Sequence, residues 1–181
     1  HAGSYHAEGA SAVSEIARQI VALDALTDYA RGVTVNVGLV EGGSAVNVVA
    51  EHAGAQIDLR VRDGADGAAL EAAILGLKAR DPRVQLTVTG GMNRPAFARS
   101  PAIDALFARA RAIAAEIGFD LRSAEQTGGG SDGNFTVAQG TPTLDGLGVD
   151  GAGAHTNEEY MLISSIAPRS LLLQGLMERL D

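Results

Sequence analysis

Gly153-Ala154-His155-Thr156-Asn157-Glu158-Glu159 sets an imidazole between small residues and carboxylates. Those groups suit a metal site or acid/base work, but one histidine needs partners from elsewhere in the chain. Taken by itself the stretch also reads as a surface loop with an ordinary solvated histidine. Thr127-Gly128-Gly129-Gly130-Ser131-Asp132-Gly133 is a glycine loop that could hold an anion on its backbone N–H groups. It lacks the Gly-Lys-Ser/Thr ending of a Walker loop, which argues against nucleotide binding. Its structural reading is a strand-to-helix turn capped by Ser131 or Asp132. His1-Ala2-Gly3 supplies a second histidine. Asn47, Arg60 and Arg62 add polar donors, the two arginines alternating on one face of a strand pattern. Guanidinium matches carboxylate in a two-pronged geometry, so such a face can grip a small anion, although strand arginines are also commonly solvated or ion-paired.

The whole chain bounds what these groups can serve. Its 181 residues are 46% hydrophobic, enough to bury a core, and carry a net charge of −8. No Lys/Arg run offers a footprint for nucleic acid. There is no cysteine, which excludes disulfides and thiolate zinc sites. No apolar run approaches the ~20 residues of a membrane span. The compartment stays open between cytoplasm and periplasm.

The elements that must position these residues follow from periodicity. Over Ala10 to Leu23 the apolar residues Val13, Ile16, Ala17, Ile20 and Leu23 fall on one helical face, with Glu15, Arg18 and Gln19 opposite. Val33 to Val40 alternates as a half-buried strand, with Val33, Val35, Val37 and Leu39 inward. Gly42-Gly43-Ser44 is a turn. Ala55 to Arg62 alternates again, and Asp66 can cap a helix carrying Leu70, Ala73, Ile74 and Leu77. Val84, Leu86 and Val88 predict a further strand. This helix-strand-strand-helix-strand order is a ferredoxin-like β-α-β-β-α-β arrangement whose first strand would precede His1, so the chain is expected to be cut upstream. Gly90-Gly91 and Asn93-Arg94-Pro95 mark a boundary between residues 1–92 and 93–181. Beyond it come a strong amphipathic helix from Ile103 to Ile117, a short strand near Leu121 to Gln126, and a buried strand at Thr141 to Leu147. A last helix spans Ile163 to Leu180, with Pro168 tolerable in its first turn. The fold class is α/β (α+β), with an α/β layer in the second segment.

Together the motifs resemble the M20 family of metallopeptidases, in its glutamate carboxypeptidase branch. His1-Ala2-Gly3, Gly9 and Ala12 resemble the opening of that family's dimerisation domain. Val46-Asn47-Val48-Val49 resembles its Asn-aliphatic-aliphatic-Pro turn, with Ala50 in place of proline, and Asp58-Leu59-Arg60 its following strand. Arg94-Pro95-Ala96-Phe97 resembles the return to the catalytic domain. Gly128-Gly129-Gly130-Ser131-Asp132 is similar to its glycine loop, and Gly153-Ala154-His155 with Glu159 to its late zinc-ligand segment. His6 and Ser11 stand where the family often has proline and asparagine.

The resemblance implies a partial α/β zinc-peptidase domain over 93–181 and a homodimer formed through 1–92. It implies two zinc ions in the intact enzyme, with His155 as the one ligand in this chain and no general base, so the chain alone is expected to be inactive. By the same resemblance His1 would polarise the scissile carbonyl in the partner subunit's site. Asn47 and Arg60 would bind the substrate carboxylate, and Arg94, Gly128, Gly129 and Gly130 would line the pocket. The substrate would be a small anionic peptide or N-acyl amino acid, with glutamate released. The alternative from another class is a non-catalytic ferredoxin-like module for self-association or amino-acid binding.

Overall fold

The computed structural model describes residues 1–124 and 128–179. The chain divides into two compact units, His1–Ala96 and Phe97–Asp181.

In the first unit, helix α1 (Ala12–Asp24) starts where the Ser11 side chain accepts the Ser14 N–H at 3.2 Å. It packs on an antiparallel pair, strands β1 (Thr34–Gly42) and β2 (Ala53–Arg60), and helix α2 (Gly64–Leu75) follows. Leu23, Val33, Val35 and Ile74 form the buried centre, with Ile57, Leu59, Leu70 and Val88 packed around it. Alternation thus sends one sheet face inward, as expected of a half-covered antiparallel sheet. Three local expectations need correction. A bulge at Gly38 breaks the period of β1. Leu39 then faces Gln56, so it leaves the inward set of Val33, Val35 and Val37, because one extra residue flips every later side chain to the other face. Helix α2 is capped by Asp63, which accepts the Ala65 N–H at 2.7 Å; Asp66 lies in the first turn and pairs with Arg31. On α1, Glu15 and Gln19 are buried and Val13 and Ala17 are exposed, the reverse of the periodic reading.

Val84, Leu86 and Val88 alternate inward with Gln85 and Thr87 outward, yet no strand forms over 84–88. Alternation reports a packed face. A ladder also needs a neighbouring backbone, and among the described residues the sheet holds only β1 and β2. The mixed α/β class stands on these elements.

In the second unit, helix α3 (Pro101–Glu116) is capped by Ser100 and packs against helix α5 (Ile166–Arg179). Ala110, Ile113, Ala114, Leu121, Leu172 and Leu176 make its core. Pro168 sits in the first turn of α5, where its missing N–H costs nothing. Between them lie the short helix α4 (Gly133–Ala138) and two-residue strands β3 (Gly151–Ala152) and β4 (Tyr160–Met161). Residues 141–147 form no strand; Leu144 and Leu147 pack on the core from an irregular segment. No strand forms at 121–124 either, and Glu125 and Gln126 of that expected strand, like Leu180 of the last helix, lie outside the described residues. Among the described residues no helix is long and apolar enough to cross a membrane.

Candidate functional site

The expected site residues fall on both units. On the first, the segment that carries His1 is stitched to the loop between β1 and β2. The Ala2 N–H donates to the Asn47 carbonyl at 2.9 Å, and the Ala12 N–H donates to the Ala50 carbonyl at 2.8 Å. Between those bonds Gly9 lies against Val49, so closely that a Cβ on Gly9 would meet the valine methyls at 3.0–3.1 Å. The structure thereby brings His1 and Asn47 together, and it gives Gly9 a packing reason. The imidazole of His1 turns back on its own chain. Its Nδ1 accepts the N–H groups of both Gly3 and Ser4, each at 3.1 Å.

Arg60 ends β2, opposite Thr34, at the far end of the hairpin from the loop that holds Asn47. Its Nε donates to Asp58 at 2.7 Å, two residues back on the same exposed face. Arg94 is half-buried on the segment that leaves the unit.

A buried charge that the periodic reading placed in solvent lies within this unit, on α1. Glu15 is 2% exposed. Its carboxylate accepts the N–H groups of Arg80 at 2.8 Å and Asp81 at 3.1 Å, and the Gln19 amide at 2.7 Å; Gln19 also donates to the Lys78 carbonyl. The Arg80 N–H above all, then the Gln19 and Asp81 donors and the Arg18 charge, holds the Glu15 carboxyl below its ordinary range against the opposing effect of burial. No sequence signal short of the fold marks this cluster, because its donors are backbone groups 65 and 66 residues away.

On the second unit, the glycine loop closes on itself. The Ser131 Oγ accepts the Gly133 N–H at 3.1 Å, and the Asn134 side chain accepts the Ser131 N–H at 2.9 Å. Asp132 stands at the N-cap of α4 without a side-chain cap bond, and the Ser131 hydroxyl one residue earlier takes the Gly133 N–H instead. Both of those N–H groups are thus occupied by side chains. Gly128, Gly129 and Gly130 precede the cap and are exposed.

His155 sits in the loop that joins β3 to β4. Its φ is +67°, and it is the one non-glycine residue with positive φ among those described. Such a conformation costs a residue with a Cβ about 1–2 kcal/mol. The loop is closed by the Thr156 side chain, which donates to the Gly153 carbonyl at 2.7 Å, and by Glu159, whose carboxylate accepts the His155 N–H at 3.3 Å. Its base is tied to α5. The Asp150 N–H donates to Ser165 Oγ at 2.9 Å, the Leu162 N–H donates to the Asp150 carbonyl at 2.7 Å, and Arg169 pairs with the Asp150 carboxylate. Arg169 also lies over the Phe119 ring, 5.1 Å from its centroid. Among the described residues no group of three or more His, Cys, Asp or Glu side chains converges as a metal site. A structural or catalytic zinc needs at least three protein ligands, so these residues do not hold one by themselves.

Residues 1–78 match the family described as Peptidase dimerisation domain. Over those residues the chain is similar to an M20 peptidase dimerisation domain. The chain is 30% identical to Carboxypeptidase G2 of Pseudomonas sp. (strain RS-16), over 96% of this chain and 42% of that protein. It resembles aminopeptidase PepT from Bacillus cereus ATCC 10987 with a TM-score of 0.69 and 26% identity, over 98% of this chain and 48% of that one. A tripeptidase from Staphylococcus aureus subsp. aureus Mu50 is also similar, with a TM-score of 0.63 and 26% identity, over 97% and 46%. The chain thus spans about half the length of these relatives.

Proposed function

We propose that this chain is the dimerisation domain, residues 1–92, and the C-terminal portion of the catalytic domain, residues 93–181, of a zinc-dependent M20 carboxypeptidase or amidohydrolase. The observation that carries the reading is the similarity to Carboxypeptidase G2 along 96% of the chain, which extends well beyond the dimerisation-domain match at residues 1–78. The intact protein hydrolyses the amide bond to a C-terminal amino acid, with glutamate the favoured product. It works as a homodimer through residues 1–92. The first unit has a ferredoxin-like topology: residues 84–88, with alternating burial and no ladder, take their backbone partner from a strand outside this chain. His155 is a zinc ligand whose companions also lie outside this chain. The positive φ at His155 supports that reading, because local strain is retained where a side chain must point one way. Asn47 and Arg60 take the substrate carboxylate from different subunits of the dimer, because one subunit holds them at opposite ends of its hairpin and ties Asn47 to the His1 segment. Arg94 and Gly128, Gly129 and Gly130 serve as pocket walls, and His1 donates a hydrogen bond to the reacting carbonyl oxygen. Two arginines suit an anionic substrate in an otherwise acidic protein.

The test compares this chain with a protein extended to the length of its relatives. Each is supplied with zinc and an N-acyl glutamate, and free glutamate is measured with and without a chelator. Chelator-sensitive release from the extended protein alone is the expected result. Release from the 181-residue chain, or none from a zinc-loaded extended protein across a panel of N-acyl amino acids, overturns the reading.

A further inference from the structure

We infer that the backbone N–H groups of Gly3 and Ser4 are the positioning device of His1: both donate to Nδ1 and so hold the neutral ring as its Nε2–H tautomer. A ring nitrogen that accepts hydrogen bonds carries no proton, and in a neutral imidazole the other nitrogen then carries it. His1 therefore presents a donor at Nε2. In this state it offers Nε2 neither as a base nor as a metal ligand. A donor is what a developing negative oxygen requires. The catalytic meaning of that donor rests on the function proposed above; the tautomer does not.

The surroundings hold the ring in this pose. The Ala2 N–H is fixed to the Asn47 carbonyl, and the Tyr5 N–H donates to the His1 carbonyl at 3.0 Å, so the turn is closed on both sides of the two donors. The ring also lies on Gly3. A Cβ there would meet His1 Cε1 at 3.3 Å and Nδ1 at 3.5 Å, so the ring would have to shift by a few tenths of an ångström. The ring is thus the neighbour that a side chain at Gly3 would meet first.

The test is a long-range ¹H–¹⁵N spectrum of the imidazoles in the 181-residue chain, recorded above about pH 8 where histidine is neutral. A blocked histidine peptide is the reference, because a free imidazole samples both tautomers. Two hydrogen bonds to Nδ1 should lower the Nδ1–H share of His1 about tenfold below the reference. Ser4→Pro removes one donor and should raise that share about threefold, whereas Ser4→Ala keeps the N–H and should leave it unchanged. A wild-type His1 with the reference mixture overturns the inference, as does a Ser4→Ala that behaves like Ser4→Pro. Because the readout needs neither substrate nor metal, a failed hydrolysis assay leaves it intact, and a failed tautomer result leaves the hydrolysis question standing.

Discussion

The Glu15 carboxylate on α1 accepts the backbone N–H of Arg80, 65 residues downstream, at 2.8 Å. With the Asp81 N–H and the Gln19 amide it closes a buried polar cluster that ties the segment after α2 to the first helix. Glu15→Ala leaves those donors unpaired and should cost about 3 kcal/mol in denaturant unfolding. Glu15→Gln keeps the shape but turns an acceptor into a donor, and should cost about 1–2 kcal/mol. A loss below about 0.5 kcal/mol for Glu15→Ala would show that water replaces the carboxylate without penalty.

The same carboxylate sets a pH dependence. Its folded pKa lies below the ordinary 4.5, so its contribution is fully present above that value and drains away as pH falls through the folded pKa. Asp81 adds a similar effect nearby, with its carboxyl held down to about 2 chiefly by the Arg83 guanidinium. Unfolding curves between pH 3 and 7 should therefore show wild type losing more stability toward acid than Glu15→Gln does. Asp81→Asn serves as the control that separates the two carboxylates. Parallel curves for wild type and Glu15→Gln would dissociate the buried cluster from acid sensitivity.

These residues also show what the sequence could and could not reveal. Alternation placed Ile57, Leu59 and Val88 around the core correctly, because period two follows from extended backbone whether or not a ladder forms. Helical period failed at Glu15 and Gln19, because a polar side chain can be buried wherever distant backbone donors meet it. Leu39 was misplaced because a bulge is set by the partner strand as well as by Gly38. In the candidate site, the residue types of His1, Asn47 and His155 were legible as motifs. The Gly3 and Ser4 amides and the Asp150–Arg169 tie were not, since backbone donors leave no residue signature.

Gly9 offers a sharper test of the first-unit geometry. A methyl there meets Val49 at 3.0–3.1 Å, and valine has no flexible end to swing aside. Gly9→Ala should cost about 1–3 kcal/mol by overpacking. Adding Val49→Ala should recover most of that loss, so the double-mutant cycle should show coupling above about 0.5 kcal/mol. Additive effects would separate the His1 segment from the Asn47 loop.

Arg169 should govern the order of the loop that holds His155. Its pairing with Asp150 and its stacking on Phe119 fix the base of the β3–β4 pair to α5. Arg169→Met keeps the aliphatic stem but not the charge. Amide hydrogen exchange across 151–162 should then quicken about tenfold or more, with little change in α3. Equal quickening in α3 and in the loop would mean that Arg169 supports the core in general.

His155 itself separates stability from function. Its φ of +67° suits glycine, which has no Cβ penalty there. The strain relieved, about 1–2 kcal/mol, exceeds the roughly 0.5–1 kcal/mol of added chain entropy that glycine brings. His155→Gly should thus unfold no more easily than wild type and gain up to about 1 kcal/mol. His155→Val, β-branched and still poorer at positive φ, should be destabilised by about 1–2 kcal/mol. In the extended protein His155→Gly should lose zinc, measured by metal analysis after dialysis, while its melting temperature in chelator stays at or above that of wild type. A glycine variant that unfolds readily would mean that the imidazole holds the loop together, and the strain would then need a structural explanation in place of a functional one.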